Sequence, residues 1–221
     1  NYIDFLIDYC KKFKINAVIP LFDVDLPILS KNKKNFADNG IRVLVSDYDV
    51  IKICNDKFKA YDFFKSNNIK TPKTYISFEQ LESALLTNIV SFPIILKPRW
   101  GMGSIGVTKV DNYNDCKSIY NQIQKLIKNN YLKYESNRDM ENAIIFQELV
   151  LGDEYGLNII NDLETNHIIS HALKKISMLS GETYNAITVK KKSLDSLGKK
   201  IGISLSHIGI LDVDCIINST G

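Results

Sequence analysis

The sequence has few of the residues that build metal centres and disulfide frameworks. It contains four cysteines and three histidines among 221 residues. The cysteines (Cys10, Cys54, Cys116 and Cys215) lie far apart and form no C-x-x-C pair, which argues against zinc and redox motifs and favours buried free thiols. The sequence also lacks the run of ~20 apolar residues that a membrane span needs, and its amino end is not typical of a signal peptide. We therefore expect a cytoplasmic protein with no membrane partner.

The charge is nearly balanced. The 28 basic and 25 acidic residues give a net charge of +3, and they are spread along the chain, so composition gives no reason to expect a nucleic-acid partner. No internal repeat or low-complexity segment is present. With 45% hydrophobic residues, the chain can bury a sizeable core in one domain or two small ones.

Short helices and strands are predicted to alternate near the amino end. Apolar residues at 17–21 and 41–45 predict two buried strands, and residues 26–36 predict a helix between them. This order is typical of an α/β unit with a parallel sheet. The chain lacks a starting Met, and partner strands would be expected before residue 1, so we expect the back half of such a unit.

A glycine-rich stretch, KPRWGMGSIGV at residues 97–107, has the spacing G-x-G-x-x-G. Glycines at this spacing let backbone N–H groups approach phosphate oxygens closely. Apolar residues at 92–96 and 107–110 predict a strand on each side, with a helix beginning only near Asn114. A nicotinamide fingerprint needs a helix directly after the loop, a protein kinase places its lysine after the loop, and a Walker A loop ends in Gly-Lys-Ser/Thr. All three classes are therefore disfavoured.

Charged residues accompany this loop. Lys97 ends the preceding strand, where its ammonium could reach phosphates held by the loop. Glu148 follows an apolar strand, next to backbone that could bind an adenine edge, and Glu154, six positions later, suits ribose hydroxyls. A solvated lysine and a charged turn between strands are the alternatives at this point.

In order and spacing these motifs resemble the ATP-grasp superfamily, and most closely its carbamoyl-phosphate-synthase-like carboxylate–amine ligases. The match runs from about residue 17 to the last residue. Its motifs are Asp56-Lys57, Thr71-Pro72, Phe92 to Pro98 with the glycine loop, Gln147-Glu148, Gly152-Asp153-Glu154, Gly181-Glu182-Thr183 and Asp212-Val213-Asp214.

The resemblance implies an α/β fold of the α+β ATP-grasp type. Residues 1–55 would be a partial parallel α/β domain that precedes the ATP-grasp region. Residues 56–146 would form the amino-terminal lobe with a glycine-rich lid, and residues 147–221 a partial carboxyl-terminal lobe, with antiparallel sheets in both lobes. The chain would stop before the metal site is complete.

The resemblance also implies the roles of individual residues toward ATP and Mg²⁺. Lys57 and Lys97 would be the two phosphate lysines, and Asp214 the first of three magnesium positions, the other two lying beyond Gly221. Lys174 or Lys175 would add charge on the phosphate side, and the resemblance does not decide between them. The remaining nucleotide contacts would be Gly101, Gly103, Ser104 and Gly106 in a mobile lid, Glu148 at the adenine amino group, Leu149 and Val150 in the hinge, and Glu154 at the ribose.

The implied activity is that of an ATP-dependent ligase. It would activate a small-molecule carboxylate as an acyl phosphate, which an amine then attacks. No catalytic acid or base is identified, the oligomeric state is not predicted, and the chain as given is expected not to turn over because the metal site is incomplete. The alternatives are a nucleotide-binding module without ligase activity and, less favoured, a nicotinamide-dependent oxidoreductase.

Overall fold

The computed structural model describes residues 1–179 and 181–218, which form two compact units. The first unit comprises Asn1–Cys54, Gly156–Leu173 and Thr188–Cys215. The second comprises Asn55–Tyr155, the described residues of Lys174–Ile187, and residues 216–218. The domain boundaries expected from the sequence stay predictions, and the last three residues of the third expected domain lie outside the described residues.

Residues 1–54 alternate short helices and strands around an apolar core. Strands β1 (Ala17–Val18) and β2 (Arg42–Val43) pair in parallel, with Ala17 opposite Arg42. The predicted parallel α/β arrangement is therefore confirmed here. Phe36, Leu29 and Cys10 are almost completely buried in the core. The elements are α1 (Tyr2–Lys12), β1 (Ala17–Val18), α2 (Leu26–Lys31), α3 (Lys33–Asp38), β2 (Arg42–Val43) and α4 (Tyr48–Cys54).

The helix predicted over residues 26–36 is wrong in detail, because it is interrupted at Asn32. The Asn32 side-chain amide donates a hydrogen bond of 2.8 Å to the Ile28 carbonyl, and the backbone of Asn32 leaves helical geometry (φ −104°, ψ 9°). Asparagine side chains compete in this way with the backbone hydrogen bonds of a helix. The strands are also shorter than predicted. Cys54 is exposed rather than buried, whereas Cys10 and Cys116 are buried as expected.

The second unit contains a four-stranded sheet. Its strands lie in the order β3 (Thr74–Tyr75), β6 (Ile144–Glu148), β4 (Ile94–Pro98) and β5 (Thr108–Val110). Each neighbouring pair is antiparallel, as predicted for this region. The fully buried side chains of Leu81, Leu96, Ile127 and Phe146 belong to its core. The elements are α5 (Lys57–Ser66), β3 (Thr74–Tyr75), α6 (Phe78–Leu86), β4 (Ile94–Pro98), β5 (Thr108–Val110), α7 (Tyr113–Asn129), α8 (Lys133–Ser136) and β6 (Ile144–Glu148).

The remaining strands form a second four-stranded sheet. Its strands lie in the order β10 (Gly209–Ile217), β7 (Asp153–Asn161), β8 (His167–Leu179) and β9 (Glu182–Val189). No helix within residues 1–179 and 181–218 is both long and apolar enough to cross a membrane. The elements are β7 (Asp153–Asn161), β8 (His167–Leu179), β9 (Glu182–Val189), α9 (Lys192–Leu205) and β10 (Gly209–Ile217).

Candidate functional site

The glycine loop joins two antiparallel strands, as the sequence predicts. Ile94 of β4 lies opposite Val110 of β5, and Leu96 lies opposite Thr108. The next helix, α7, begins after Asn112, whose side chain accepts a hydrogen bond from the Asp115 amide. A strand therefore follows the loop where a nicotinamide fingerprint would require a helix.

The loop backbone adopts conformations that require glycine at defined positions. Gly101, Gly103 and Gly106 have positive φ angles of 108°, 66° and 74°. A Cβ atom on Gly101 would lie 2.3 Å from Cδ2 of Leu132. A Cβ atom on Gly103 would meet nothing within 4 Å, whereas a Cβ atom on Gly181 would lie 2.7 Å from the carbonyl carbon of Gly103. Ser104 also has a positive φ, of 54°, and a conformation of this kind costs about 1–2 kcal/mol in a residue with a side chain.

Lys57 is the first residue of α5, and its ammonium reaches the start of the loop. Its Nζ donates a hydrogen bond of 2.6 Å to the Gly101 carbonyl. Burial, followed by the positive charge of Lys97, lowers the pKa of Lys57 to about 8, against the opposing effect of Asp56. A partly desolvated ammonium next to another cation is stabilised by any anion that binds there, so these two lysines suit a polyphosphate.

Lys97 lies in β4, on the strand that leads into the loop. It is opposite Ile145 of β6, and its Nζ donates a hydrogen bond of 2.7 Å to Oε1 of Gln147. The amide of Gln147 donates in turn to Oγ1 of Thr74 at 2.8 Å. This chain of polar contacts fixes the direction of the Lys97 side chain across the sheet.

The predicted adenine and ribose residues follow β6. Glu148 is half-buried, and its Oε2 accepts a hydrogen bond of 3.0 Å from the backbone N–H of Lys73. Leu149 and Val150 are half-buried and lie in irregular structure between β6 and β7, while Glu154 is exposed on β7. The contacts of these four residues with a nucleotide stay predictions.

Lys174 and Lys175 are adjacent in β8, so their side chains point to opposite faces of the sheet. Nζ of Lys174 forms an ion pair of 2.7 Å with Oδ2 of Asp153 on β7. The hydrogen bond to Asp153 is the main reason why the pKa of Lys174 is raised. The Lys174 ammonium thus already has a carboxylate partner, and the phosphate role of Lys174 or Lys175 stays a prediction.

Asp214 is exposed on β10 and lies in the first unit, whereas the other predicted site residues lie in the second. Within residues 1–179 and 181–218, no three His, Cys, Asp or Glu side chains form a group that could hold a metal ion. The described residues therefore do not supply a magnesium site by themselves, and the role of Asp214 stays a prediction.

The sequence reasoning missed a buried ion network beside Lys57. Nε and NH2 of Arg99 each contact an Asp56 carboxylate oxygen at 2.7 Å. The NH1 group of Arg99 contacts Oδ2 of Asp139 at 3.0 Å. Asp56 is 4% exposed and Arg99 8% exposed. An arginine two residues after the Lys97 position, inside an apolar segment, was the available signal, because arginine is rarely buried without a partner.

A separate cavity of about 530 Å³ lies within the first unit. Lys33, Lys34, Arg42, Leu163 and Ile208 are among the residues that line it. None of the predicted site residues contributes to its wall.

Two family models match the sequence. The model of the ATP-grasp domain matches residues 54–221, and that of the PylC-like, N-terminal domain matches residues 1–44. Together they cover the segments that carry the sequence motifs.

The chain is also similar to individual ligases and carboxylases. The carbamoyl-phosphate synthase of Methanobrevibacter smithii is 24% identical over 123 residues, which are 54% of this chain and 33% of that protein. The α-aminoadipate–LysW ligase LysX of Saccharolobus solfataricus is 26% identical over 157 residues, which are 68% of this chain and 56% of LysX. The chain thus spans less than two thirds of either relative.

Solved structures share the fold. A biotin carboxylase from Campylobacter jejuni, crystallised as a β-γ-ATP complex, has a TM-score of 0.76 at 14% identity, with 97% of this chain and 48% of that chain covered. At this identity the likeness shows the fold alone. It confirms the mixed α/β architecture with antiparallel sheets.

Proposed function

The chain belongs to the ATP-grasp family, and from this premise we propose that the protein is an ATP-dependent ligase that joins a carboxylate to an amine. The observation that supports the proposal best is the meeting of Lys57 and Lys97 at the glycine hairpin. Lys57 contacts the carbonyl of Gly101, and the charge of Lys97 lowers its pKa. Two cations beside a glycine-rich loop make a site for a polyphosphate.

In the proposed reaction, the γ-phosphoryl group of ATP passes to the substrate carboxylate, and the amine then displaces phosphate from the acyl phosphate. Lys57 and Lys97 hold phosphate oxygens and offset the charge that spreads over them during transfer. The glycine loop supplies backbone N–H donors and excludes water. Glu148 and Glu154 hold the adenine and the ribose. Positioning and charge stabilisation account for the catalysis, without a covalent enzyme intermediate.

Magnesium would neutralise phosphate charge when bound, as it does generally at phosphoryl-transfer sites. Asp214 is the proposed ligand on this chain. Since the described residues do not form a complete metal group, no step of the reaction is assigned to the metal.

Nucleotide binding is tested first, by titration calorimetry with ATP and with NADH. We expect ATP to bind, and expect the double variant Lys57→Met/Lys97→Met to lose most of this affinity. The control variant Lys117→Met/Lys125→Met removes two exposed lysines of α7 and should bind like the wild type. Binding of NADH but not ATP would contradict the proposal.

Ligation is tested with a protein that carries the complete magnesium site, by ADP formation in the presence of ATP, magnesium, pooled carboxylates labelled with ¹⁸O, and pooled amines. If the carboxylate is activated as an acyl phosphate, one ¹⁸O atom passes from the carboxylate to the phosphate that is released. ATP binding without ADP formation or label transfer in any pool would favour the alternative, a nucleotide-binding module.

A further inference from the structure

Asp56 receives four hydrogen bonds, and none of them comes from the side chain of its neighbour Lys57. Its Oδ1 caps α5 by accepting from the amides of Phe58 and Lys59 at 3.1 and 3.2 Å. The same oxygen accepts from Nε of Arg99 at 2.7 Å, and Oδ2 accepts from NH2 of Arg99 at 2.7 Å. A carboxylate bound by both arms of a guanidinium is held in one geometry.

The ammonium of Lys57 consequently forms no ion pair with Asp56 and can bind another anion. Its ammonium donates to a neutral carbonyl, that of Gly101, and no carboxylate of the described residues forms an ion pair with it. The charges that bear on it are Asp56 from the start of its own helix and Lys97 from β4. A half-buried ammonium without a carboxylate partner binds an incoming anion more strongly than one that must first leave a carboxylate.

Arg99 is itself fixed from several sides. Its third guanidinium nitrogen contacts Asp139 at 3.0 Å, and its guanidinium carbon lies 4.4 Å from the centre of the Trp100 ring. Its backbone is fixed too, because the Arg99 N–H donates to the Ala143 carbonyl at 2.9 Å and the Arg99 carbonyl accepts from the N–H of Lys57 at 3.2 Å. Arg99 therefore orients both the carboxylate beside Lys57 and the backbone of Lys57.

We infer that Arg99 is a positioning residue of the nucleotide site: by engaging both oxygens of Asp56, it keeps that carboxylate away from the Lys57 ammonium, which stays available for phosphate. Arg99 acts through Asp56 and Lys57 and does not touch the nucleotide. The role of Lys57 toward phosphate rests on the proposed function, whereas the effect of Arg99 on the charge state of Lys57 does not.

The pKa of Lys57 in variants of Arg99 distinguishes a positioning role of Arg99 from a purely structural role of the ion network. If Arg99 only stabilised the fold, its loss would lower the melting temperature, and the removal of its positive charge would change the pKa of Lys57 equally with Asp or Asn at residue 56. If it restrains Asp56, its loss frees a carboxylate to pair with Lys57, and the pKa of Lys57 rises toward the ordinary lysine value.

The test measures the pKa of Lys57 by NMR, from the pH dependence of its ¹³Cε shift, with Lys57→Arg used to assign the signal. Arg99→Met is expected to raise this pKa by about one unit or more and to weaken ATP binding about tenfold at pH 7.5. In the Asp56→Asn background, where asparagine still caps the helix, the same change at Arg99 should raise the pKa by less than it does with Asp56 present. Arg138→Met is the matched control, because Arg138 is a half-exposed arginine paired with Glu135.

Wild-type values of both the Lys57 pKa and the ATP affinity in folded Arg99→Met would overturn the inference, as would an equal rise of the pKa in the Asp56→Asn background. If Arg99→Met does not fold, Asp139→Asn replaces it, because Asp139 is a more exposed partner of Arg99. This variant should move the pKa in the same direction by a smaller amount, and no movement would overturn the inference. If the wild type does not bind ATP, the proposed function fails while the pKa measurement still decides the role of Arg99.

Discussion

Nζ of Lys97 and Oε1 of Gln147 form a hydrogen bond of 2.7 Å between β4 and β6. The bond orients a cation at the end of the strand that leads into the glycine loop, so Lys97 is arranged before any ligand arrives. Preorganised charges of this kind contribute more to anion binding than mobile surface lysines, because less side-chain entropy is lost on binding.

Lys97→Ala should therefore weaken ATP binding severely. A hydrogen bond to a charged group contributes about 1.5–3 kcal/mol, which corresponds to a loss of about 10- to 150-fold in affinity. Titration calorimetry measures the effect, with Lys125→Ala on the exposed face of α7 as the control. An unchanged dissociation constant in a folded Lys97→Ala protein would show that Lys97 does not contact phosphate.

Gly101→Ala and Gly103→Ala should differ in their effect on stability, although both positions have positive φ. The new methyl group at residue 101 would lie 2.3 Å from Cδ2 of the buried Leu132, whereas the one at residue 103 meets no atom within 4 Å. Backbone strain costs about 1–2 kcal/mol in each variant, and overpacking adds about 1–3 kcal/mol only at residue 101.

Thermal unfolding followed by circular dichroism compares the two glycine variants. Gly101→Ala is expected to melt several degrees below Gly103→Ala, since about 1 kcal/mol corresponds to ~2–4 °C in a protein of this size. Equal melting temperatures would mean that Leu132 moves aside without cost and that the close approach at Gly101 is not restrictive.

The hairpin could be predicted from the sequence, whereas the ion network could not. Glycine spacing and the β-branched residues around it are local signals, and they determine a strand, a turn and a strand within a few residues. Asp56 and Arg99 are 43 residues apart in the chain, and only the packing of α5 against the strand end brings them together. The interruption at Asn32 was missed for a related reason, because apolar periodicity does not register a side chain that competes for a backbone carbonyl.

The roles of individual site residues were accessible only through the resemblance to a family. Lys57 by itself is a lysine at the start of a helix, and its contact with Gly101 depends on tertiary structure. The partner of Lys174, Asp153, lies on the neighbouring strand 21 residues away, and nothing in the local sequence distinguishes Lys174 from Lys175. Sequence pattern therefore identified the loop, and the structure was needed to show which lysines already have a carboxylate partner.

Binding of ATP at pH 8.5 should be accompanied by proton uptake. The pKa of Lys57 is lowered to about 8 in the free protein, so at pH 8.5 its amine is mostly neutral. Phosphate favours the ammonium and raises this pKa, and linkage then requires uptake of up to about 0.7 proton per site. Calorimetry in two buffers of different ionisation enthalpy measures this number, and at pH 6.5, where Lys57 is already protonated, its contribution should vanish.

Lys57→Arg serves as the control for proton uptake, because arginine stays charged throughout this pH range. We expect it to remove the uptake at pH 8.5 while retaining part of the affinity. The same uptake in Lys57→Arg and in the wild type would assign the titration to another group.

The first unit should lose stability in mild acid because of a buried histidine. His207 is 2% exposed, and its Nε2 lies 3.1 Å from the Ile159 carbonyl, so this nitrogen carries the hydrogen of the neutral ring. Its Nδ1 is buried as well. Burial is the main cause of its lowered pKa; the charge of His167 lowers it further, and backbone bonds to Ile159 and Gly209 oppose the change.

The direction of the pH dependence of stability follows from proton binding in the folded and unfolded states. As the pH falls below about 6.5, the unfolded chain takes up a proton at this histidine while the folded protein does not. The free energy of unfolding therefore falls with decreasing pH, by at most about 1.4 kcal/mol per pH unit for one group. The fall continues until the pH reaches the lowered pKa of the folded state. Urea unfolding at pH 7.5, 6.5 and 5.5 measures this dependence.

His207→Gln is expected to reduce the pH dependence of stability, because the glutamine amide can still donate to the Ile159 carbonyl but takes up no proton in this range. His171→Gln is the matched control, since His171 is exposed on β8, and it should retain the wild-type slope between pH 7.5 and 5.5. If His207→Gln and the wild type lose stability in parallel as the pH falls, His207 is not the group that causes the acid sensitivity.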